Sequence, residues 1–339
     1  MVHSDQEDRM TLDVYRGQAH DRARTWTALT PDERRRRATE AAALKDPDTL
    51  WSLTEAHLTL HAASGVLTSR HTLTSYRAGI RAFLHHATHR AWSILRPTAD
   101  DVQAWIAEML TQGRAIATVR VRVAAAAALY RALRWAGATA AHPFEDAVVP
   151  KDRRHGLEKN APYTADQVDL AVAAASAHPT RASELRALLL VLAHAGLRID
   201  EALHLRWEDV HLDPDSARLT VQSGKGRRSR SVPASPRLRA ALSAYRILPR
   251  TRAHRGDFIF PYRTWRGAAR HVRPLFEHAQ EPGGFRGFHA LRKAMGSRLY
   301  QQLGDFAAVA EVLGHADINT TRGYVRIGEE RARRAIDSW

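Results

Sequence analysis

His289 and Arg292 stand three apart in the run FHALR. On a helix that spacing gives them one face, so an imidazole and a guanidinium can approach one phosphate together. The free N–H groups of a helix start favour the same anion. Gly314-His315 follows FAAVAEVL, which ends at Leu313 and reads as a short buried helix closed by Gly314 as a C-cap. Tyr324 comes nine residues after His315, in NTTRGYVR, where Asn319 can cap a short helix. Arg198 lies at a turn in AHAGLRIDEALHLRW, where the apolar helix LRALLLVLAHA ends at Gly196 and an amphipathic helix starts near Asp200. Lys225 is the tip of Gly224-Lys225-Gly226 between two strand-like runs. Each residue taken singly has a plainer reading. His315 could be a solvated cap residue, Tyr324 a packing tyrosine, Arg198 a turn arginine paired with Asp200 or Glu201, and Lys225 an ordinary turn.

Taken in order, Arg198, Lys225, His289, Arg292, His315 and Tyr324 resemble the signature of the tyrosine recombinase (phage integrase) family, in a bacterial Xer-like or integrase-like form. The local wording matches as well: AGLRIDEAL, FHALR and LGHADINTTRGYVR. The resemblance is strong over 160–326, looser over 51–150 and not evident over 1–50. It implies a site-specific recombinase that cleaves and rejoins DNA through a covalent 3′-phosphotyrosine. Tyr324 would be the nucleophile, and Arg198 and Arg292 would hold the nonbridging phosphate oxygens. Lys225 would be the general acid for the leaving 5′ oxygen. His289 would assist proton transfer, His315 would donate to the phosphate, and Glu201 would orient the site. Many members carry a second histidine after the H-x-x-R arginine. Lys293 stands there instead and puts that supporting contact in question. Two other readings share parts of the evidence: a type IB topoisomerase-like enzyme, and a DNA-binding protein without catalysis.

The chemistry accounts for these residue types. A phosphodiester is already anionic, and charge builds on its oxygens in the transition state. Guanidiniums bind such oxygens as a fork and stay charged at any working pH. A free phenol has a pKa of about 10, and neighbouring cations favour the phenolate. The leaving alkoxide needs a proton, hence an acid such as Lys225. A phosphotyrosine keeps the bond energy, so rejoining needs no nucleotide cofactor. No cofactor and no metal are expected. His85 and His89 have the i, i+4 spacing of a zinc-binding helix, but position 86 is His and no third ligand is evident.

The elements that must position these groups read as mainly α. A helical core-binding domain is followed by a mostly helical α+β catalytic domain with a small antiparallel sheet; the resemblance implies a C-shaped DNA clamp. Residues 1–50 read as a helical extension, with a helix from Thr30-Pro31 carrying Arg34–Arg37 as a solvated face. Residues 51–148 read as the core-binding, SAM-like domain. It has one helix over about 70–90, with Leu73, Tyr76, Ile80, Phe83 and Leu84 on one face, and another after Thr98-Ala-Asp-Asp. A third, over about 117–136, carries Arg120, Arg131 and Arg134 on one side, a stripe suited to phosphates or simply to water. Loss of periodicity with Pro, Gly and charge marks a linker over 149–162. The catalytic domain, 163–339, opens with the capping box Thr164-Ala-Asp-Gln167. Its hairpin pairs ARLTVQSG with RSRSVPAS, and Arg227 and Arg228 beside the tip are further DNA-binding candidates. The tail VRIGEERARRAIDSW is expected to dock on its own domain or on a neighbour.

A formal net charge of +15 points to a polyanionic partner, read here as double-stranded DNA with recombination sites. The family resemblance implies a homotetramer on two sites, with a related recombinase as an alternative partner. The absence of cysteine excludes disulfides and thiolate chemistry. No apolar run of spanning length and no signal peptide is read, so no membrane association and a cytoplasmic location are expected.

Overall fold

The computed structural model describes residues 20–63, 65, 70–152, 160–222, 229–248, 251, 254, 256–278 and 284–315. The chain divides into two units, Met1–Arg153 and Arg154–Trp339.

The first unit is helical: α1 (Pro31–Leu44), α2 (Pro47–His61), α3 (Arg70–His89), α4 (Ala99–Thr111) and α5 (Ile116–Trp135), preceded by helical turns over 20–27. Local chemistry sets the starts. Thr30 and Glu33 cap α1 reciprocally with proline in the first turn, and Thr98 and Asp101 do the same for α4. On α3, Leu73, Ile80, Phe83 and Leu84 are buried as their spacing requires, and Tyr76 packs at the edge of the same core. That core also takes in Ala23, Trp26, Ala38, Ala41, Ala42 and Leu50, so one hydrophobic interior runs across residue 50. The arginine run of α1 is not a uniformly solvated face. Arg34 lies over the Trp135 ring at 4.7 Å and Arg37 over Trp26 at 4.8 Å, while Arg35 pairs with Asp32.

The second unit comprises α6 (Ala165–Ser176), α7 (Ala182–His194), the single turn α8 (Ile199–Leu203), β1 (Val210–His211), β2 (Arg218–Val221), β3 (Arg230–Pro233), α9 (Pro236–Arg246), α10 (Trp265–His278), α11 (Phe288–Leu303) and α12 (Phe306–Leu313). The predicted hairpin is present, with Leu219 opposite Val232 and Val221 opposite Arg230. A two-residue strand, β1, adds to β2 and makes an antiparallel sheet in the order β1-β2-β3. So short a strand has no period-2 signature to find. The helix expected near Asp200 is one five-residue turn, because the chain leaves it for the 3-10 turn Trp207–Asp209.

The core of this unit is built on α7, where Leu185 and Ala187 to Ala193 are all buried. Such a helix, apolar all round, must be surrounded; it packs against α6, α9 and α11. Its C-terminal end therefore delivers Gly196-Leu197-Arg198 from a rigid base. Tyr300, Val309 and Leu313 form a small separate cluster that seats α12. Among the described residues, no helix is long and apolar enough to cross a membrane.

Candidate active site

Three chain segments converge on Glu201. Arg198 sits at the N-cap of α8, and Glu201 at its third helical position. The Glu201 carboxylate accepts from the Arg198 backbone N–H at 2.8 Å and from the Arg198 guanidinium at 2.8 Å. The plain turn pairing of Arg198 with Glu201 is therefore real, and it fixes the direction of the arginine. From β3, Arg230 binds the same carboxylate as a fork, at 3.0 Å and 2.8 Å. From the first turns of α11, Arg292 brings Nη1 to 3.7 Å from it.

Arg292 is fully buried. Its guanidinium donates to the carbonyl of Gly196 at 2.6 Å and to the carbonyl of Leu313. These bonds tie the end of α7, the start of α11 and the end of α12 together. Gly196 has φ +65, and a Cβ there would meet Leu313 Cδ2 at 2.8 Å. Gly314 closes α12 at φ +66, and a Cβ there would lie 2.9 Å from Cδ and Nη1 of Arg230. Both positions need glycine for the left-handed backbone and for close approach.

His315 follows that cap, with its N–H bonded to the Ala310 carbonyl at 2.9 Å. It is half-buried. Desolvation, then Arg292, Arg198, His289 and Arg230, lowers its pKa to about 4. His289, in the first turn of α11, keeps an open face to solvent. The protein packed behind it desolvates the ring and, with Lys293, Arg292 and Arg198, lowers its pKa to about 4. Both imidazoles are neutral at pH 7. Burial alone would raise the Glu201 carboxyl, but the hydrogen bonds from Arg230 and Arg198 overcome it and hold the pKa at about 2. One carboxylate thus faces the cations Arg198, Arg230 and Arg292, and the remaining positive charge suits an anion.

Of the residues singled out in the sequence, Arg198, Glu201, His289, Arg292 and His315 come together here. Lys225, Arg227, Arg228 and Tyr324 lie outside the described residues, as does the tail. Arg120, Arg131 and Arg134 lie on α5 of the first unit. Arg120 and Arg131 are exposed, and Arg120 donates to the carbonyl of Pro150; Arg134 is half-buried and donates to the carbonyl of Ala141. Lys293 is buried, and its ammonium donates to the Asn160 carbonyl at 2.8 Å. It ties α11 to the opening of the second unit. His85 and His89 line a cavity of about 420 Å³ in the first unit with Glu108, Arg114 and Arg122. No cluster suited to a metal ion occurs among the described residues.

Sequence reading missed Arg230. The signal was present: in β3, Arg230 and Val232 share a face, and Val232 is fully buried. A charge on the inward face of a strand must find a counter-charge.

Comparison with known proteins gives the family. Residues 163–331 match the model of the phage integrase family, and residues 66–137 match that of the phage integrase N-terminal SAM-like domain. A tyrosine recombinase XerC of Rhodospirillum centenum is 30% identical over 283 residues, covering 77% of this chain and 79% of the relative. A tyrosine recombinase XerD of Caulobacter vibrioides is 30% identical over 288 residues, covering 80% and 90%. In fold, the chain is similar to a XerH site-specific recombinase bound to palindromic difH substrate, with TM-score 0.66, 17% identity and coverage of 97% and 95%. It is also similar to the Tn1549 transposon integrase in complex with a circular intermediate DNA, with TM-score 0.65, 15% identity and coverage of 86% and 99%.

Proposed function

The chain belongs to the phage integrase family of tyrosine recombinases, and from that premise we propose how its own residues cut and rejoin DNA. It is a site-specific recombinase acting on double-stranded DNA. The observation that carries the residue roles is the sharing of one carboxylate by Arg198, Arg230 and Arg292, with His289 and His315 alongside. This cluster has the charge and rigidity to hold a phosphodiester.

In the first step Tyr324 Oη attacks the scissile phosphorus. The Oη–P bond forms, the bond from phosphorus to the 5′ oxygen breaks, and Lys225 gives that oxygen its proton. The products are a 3′-phosphotyrosine and a free 5′ hydroxyl. Rejoining is the reverse step with the 5′ hydroxyl of the partner strand. Arg198 and Arg292 neutralise the nonbridging oxygens as charge builds, and His315 donates to one of them. His289, neutral in the free protein, assists proton transfer by taking up the proton that the Tyr324 phenol loses as Oη attacks. Arg292 is wholly covered in the free chain, so entry of a phosphate requires movement of the groups over it.

The remaining assignments follow the same reading. Residues 51–148 act as the core-binding domain, with the exposed Arg120 and Arg131 on phosphates and the half-buried Arg134 beside them. Residues 149–162 link it to a catalytic domain over 163–339, whose hairpin residues Arg227 and Arg228 also contact DNA. The working form is a tetramer on two sites, in the cytoplasm. The test is capture of protein–DNA adducts, under denaturing conditions, from cells expressing either wild type or Tyr324→Phe. Wild type should give adducts whose DNA ends map to discrete sequences, and the variant none. Adducts in neither, or equally in both, would refute the proposal.

A further inference from the structure

We propose that Arg230 is a positioning residue for strand cleavage, acting through Glu201 and through the turn that carries His315. The proposal rests on the reading of this site as the recombinase centre. Among the described residues, Arg230 hydrogen-bonds Glu201 and the Val312 carbonyl and not a group expected to react. Its two Nη atoms grip both oxygens of Glu201, at 3.0 Å and 2.8 Å. Its Nε donates to the Val312 carbonyl at 3.3 Å. Its Cδ and Nη1 lie where any side chain at position 314 would fall, so Gly314 is matched to it. Only about 17% of its side chain is exposed.

The consequence is geometric. A carboxylate facing only Arg198 would be free to turn and take that guanidinium with it. Held from the opposite side by a fork, Glu201 has one orientation, and so does Arg198, whose Nη2 also reaches the Gly314 carbonyl at 3.4 Å. The same guanidinium fastens β3 to the end of α12, two residues before Gly314. One residue thereby sets the spacing between the phosphate-binding arginine and His315. A fork is required, because an ammonium can neutralise Glu201 but cannot fix its plane.

The experiment is single-turnover cleavage of a nicked suicide duplex carrying a site recovered by adduct mapping. It compares wild type, Arg230→Gln, Arg230→Lys, Glu201→Gln and the double variant Arg230→Gln/Glu201→Gln from pH 4.5 to 8. Arg230→Gln should lose about 10²-fold in cleavage while its affinity for the duplex stays within about threefold. Its rate should fall off at the acid end of the range, near pH 4.5, where wild type is still flat, because Glu201 loses its strongest partner and its carboxyl returns from about 2 toward the ordinary 4.5. The groups facing Glu201 are then Arg198 and Arg292, with His289, His315 and Lys293 nearby. Arg230→Lys should fall between Arg230→Gln and wild type. The double variant should be no worse than the poorer single one, since both act through one contact. Wild-type cleavage by Arg230→Gln would overturn the proposal. So would an equal loss at every pH that multiplies with Glu201→Gln, the mark of a merely structural arginine. Should Arg230→Gln fail to melt cooperatively, Arg230→Lys decides: wild-type rate and profile overturn the proposal, and a reduced rate that falls off at the acid end supports it. A wild type that forms no adduct would overturn the recombinase reading itself, and this inference with it.

Discussion

Glu201→Gln tests the electrostatics of the site through stability alone. The Glu201 pKa is held at about 2 against an ordinary 4.5, and the side chain is only 17% exposed. Each pKa unit corresponds to about 1.4 kcal/mol between protonation states. The ionised carboxylate therefore contributes about 3 kcal/mol at neutral pH through linkage. A folded-state pKa below the unfolded one places that contribution above pH 4.5, and it is lost as pH falls from 4.5 toward 2. Replacing Glu201 by Gln also leaves Arg198, Arg230 and Arg292 without their shared counter-charge, for a total cost on the order of 3–5 kcal/mol at pH 7. Urea unfolding of both proteins at pH 7, 5, 4 and 3 measures this, with the transition of the second unit followed separately. Other carboxylates are common to both proteins, so the wild-type minus variant difference isolates Glu201. The difference should shrink steadily from pH 5 to pH 3. A difference that is constant across that range, or below about 0.5 kcal/mol at pH 7, would refute the reasoning.

Further outcomes follow from the same geometry. Gly314→Ala should cost about 1–2 kcal/mol for the left-handed backbone and reduce suicide-substrate cleavage, because the new methyl group would displace Arg230; a wild-type melting curve and rate would contradict this. His289 and His315, with pKa values lowered to about 4, should take up protons when a phosphate binds between pH 4 and 6.5. Calorimetry of duplex binding in buffers of different ionisation enthalpy should show that uptake, and its absence would count against their contact with phosphate. Arg131→Ala should lower the slope of log affinity against log salt by about 1 with little loss of stability. Arg134→Ala, which removes a donor to the Ala141 carbonyl, should instead lower the melting temperature. Lys293→Met should destabilise the second unit by about 1 kcal/mol, because it leaves the half-buried Asn160 carbonyl without its ammonium donor; unchanged unfolding would show that the tie to α11 carries no weight.

Legibility in the sequence differed from part to part for physical reasons. The helices of the first unit were readable because capping boxes at Thr30 and Thr98 and the apolar face of α3 are local signals. The ends of α12 and α7 were readable because Gly314 and Gly196 mark them. The catalytic set was readable chiefly as an ordered resemblance, since singly each member has a commonplace alternative. What stayed hidden depends on long-range pairing. Arg230 meets Glu201 from 29 residues away, and nothing local to β3 names its partner. Lys293 reaches a carbonyl 133 residues distant, so its structural use could not be read from FHALRK. The joining of residues 20–50 to the first core was missed because Ala23, Ala38 and Ala41 are too small to make a strong apolar stripe in an arginine-rich segment.

The central claim concerns one covalent bond, and peptide mapping tests it directly. The purified protein is allowed to cleave a suicide duplex. The adduct is then denatured, trimmed with nuclease, digested with protease and sequenced by mass spectrometry. The account predicts a single modified peptide, with a nucleotide joined through its 3′ phosphate to Tyr324. A modification on any other residue, or a linkage through a 5′ phosphate, would contradict it.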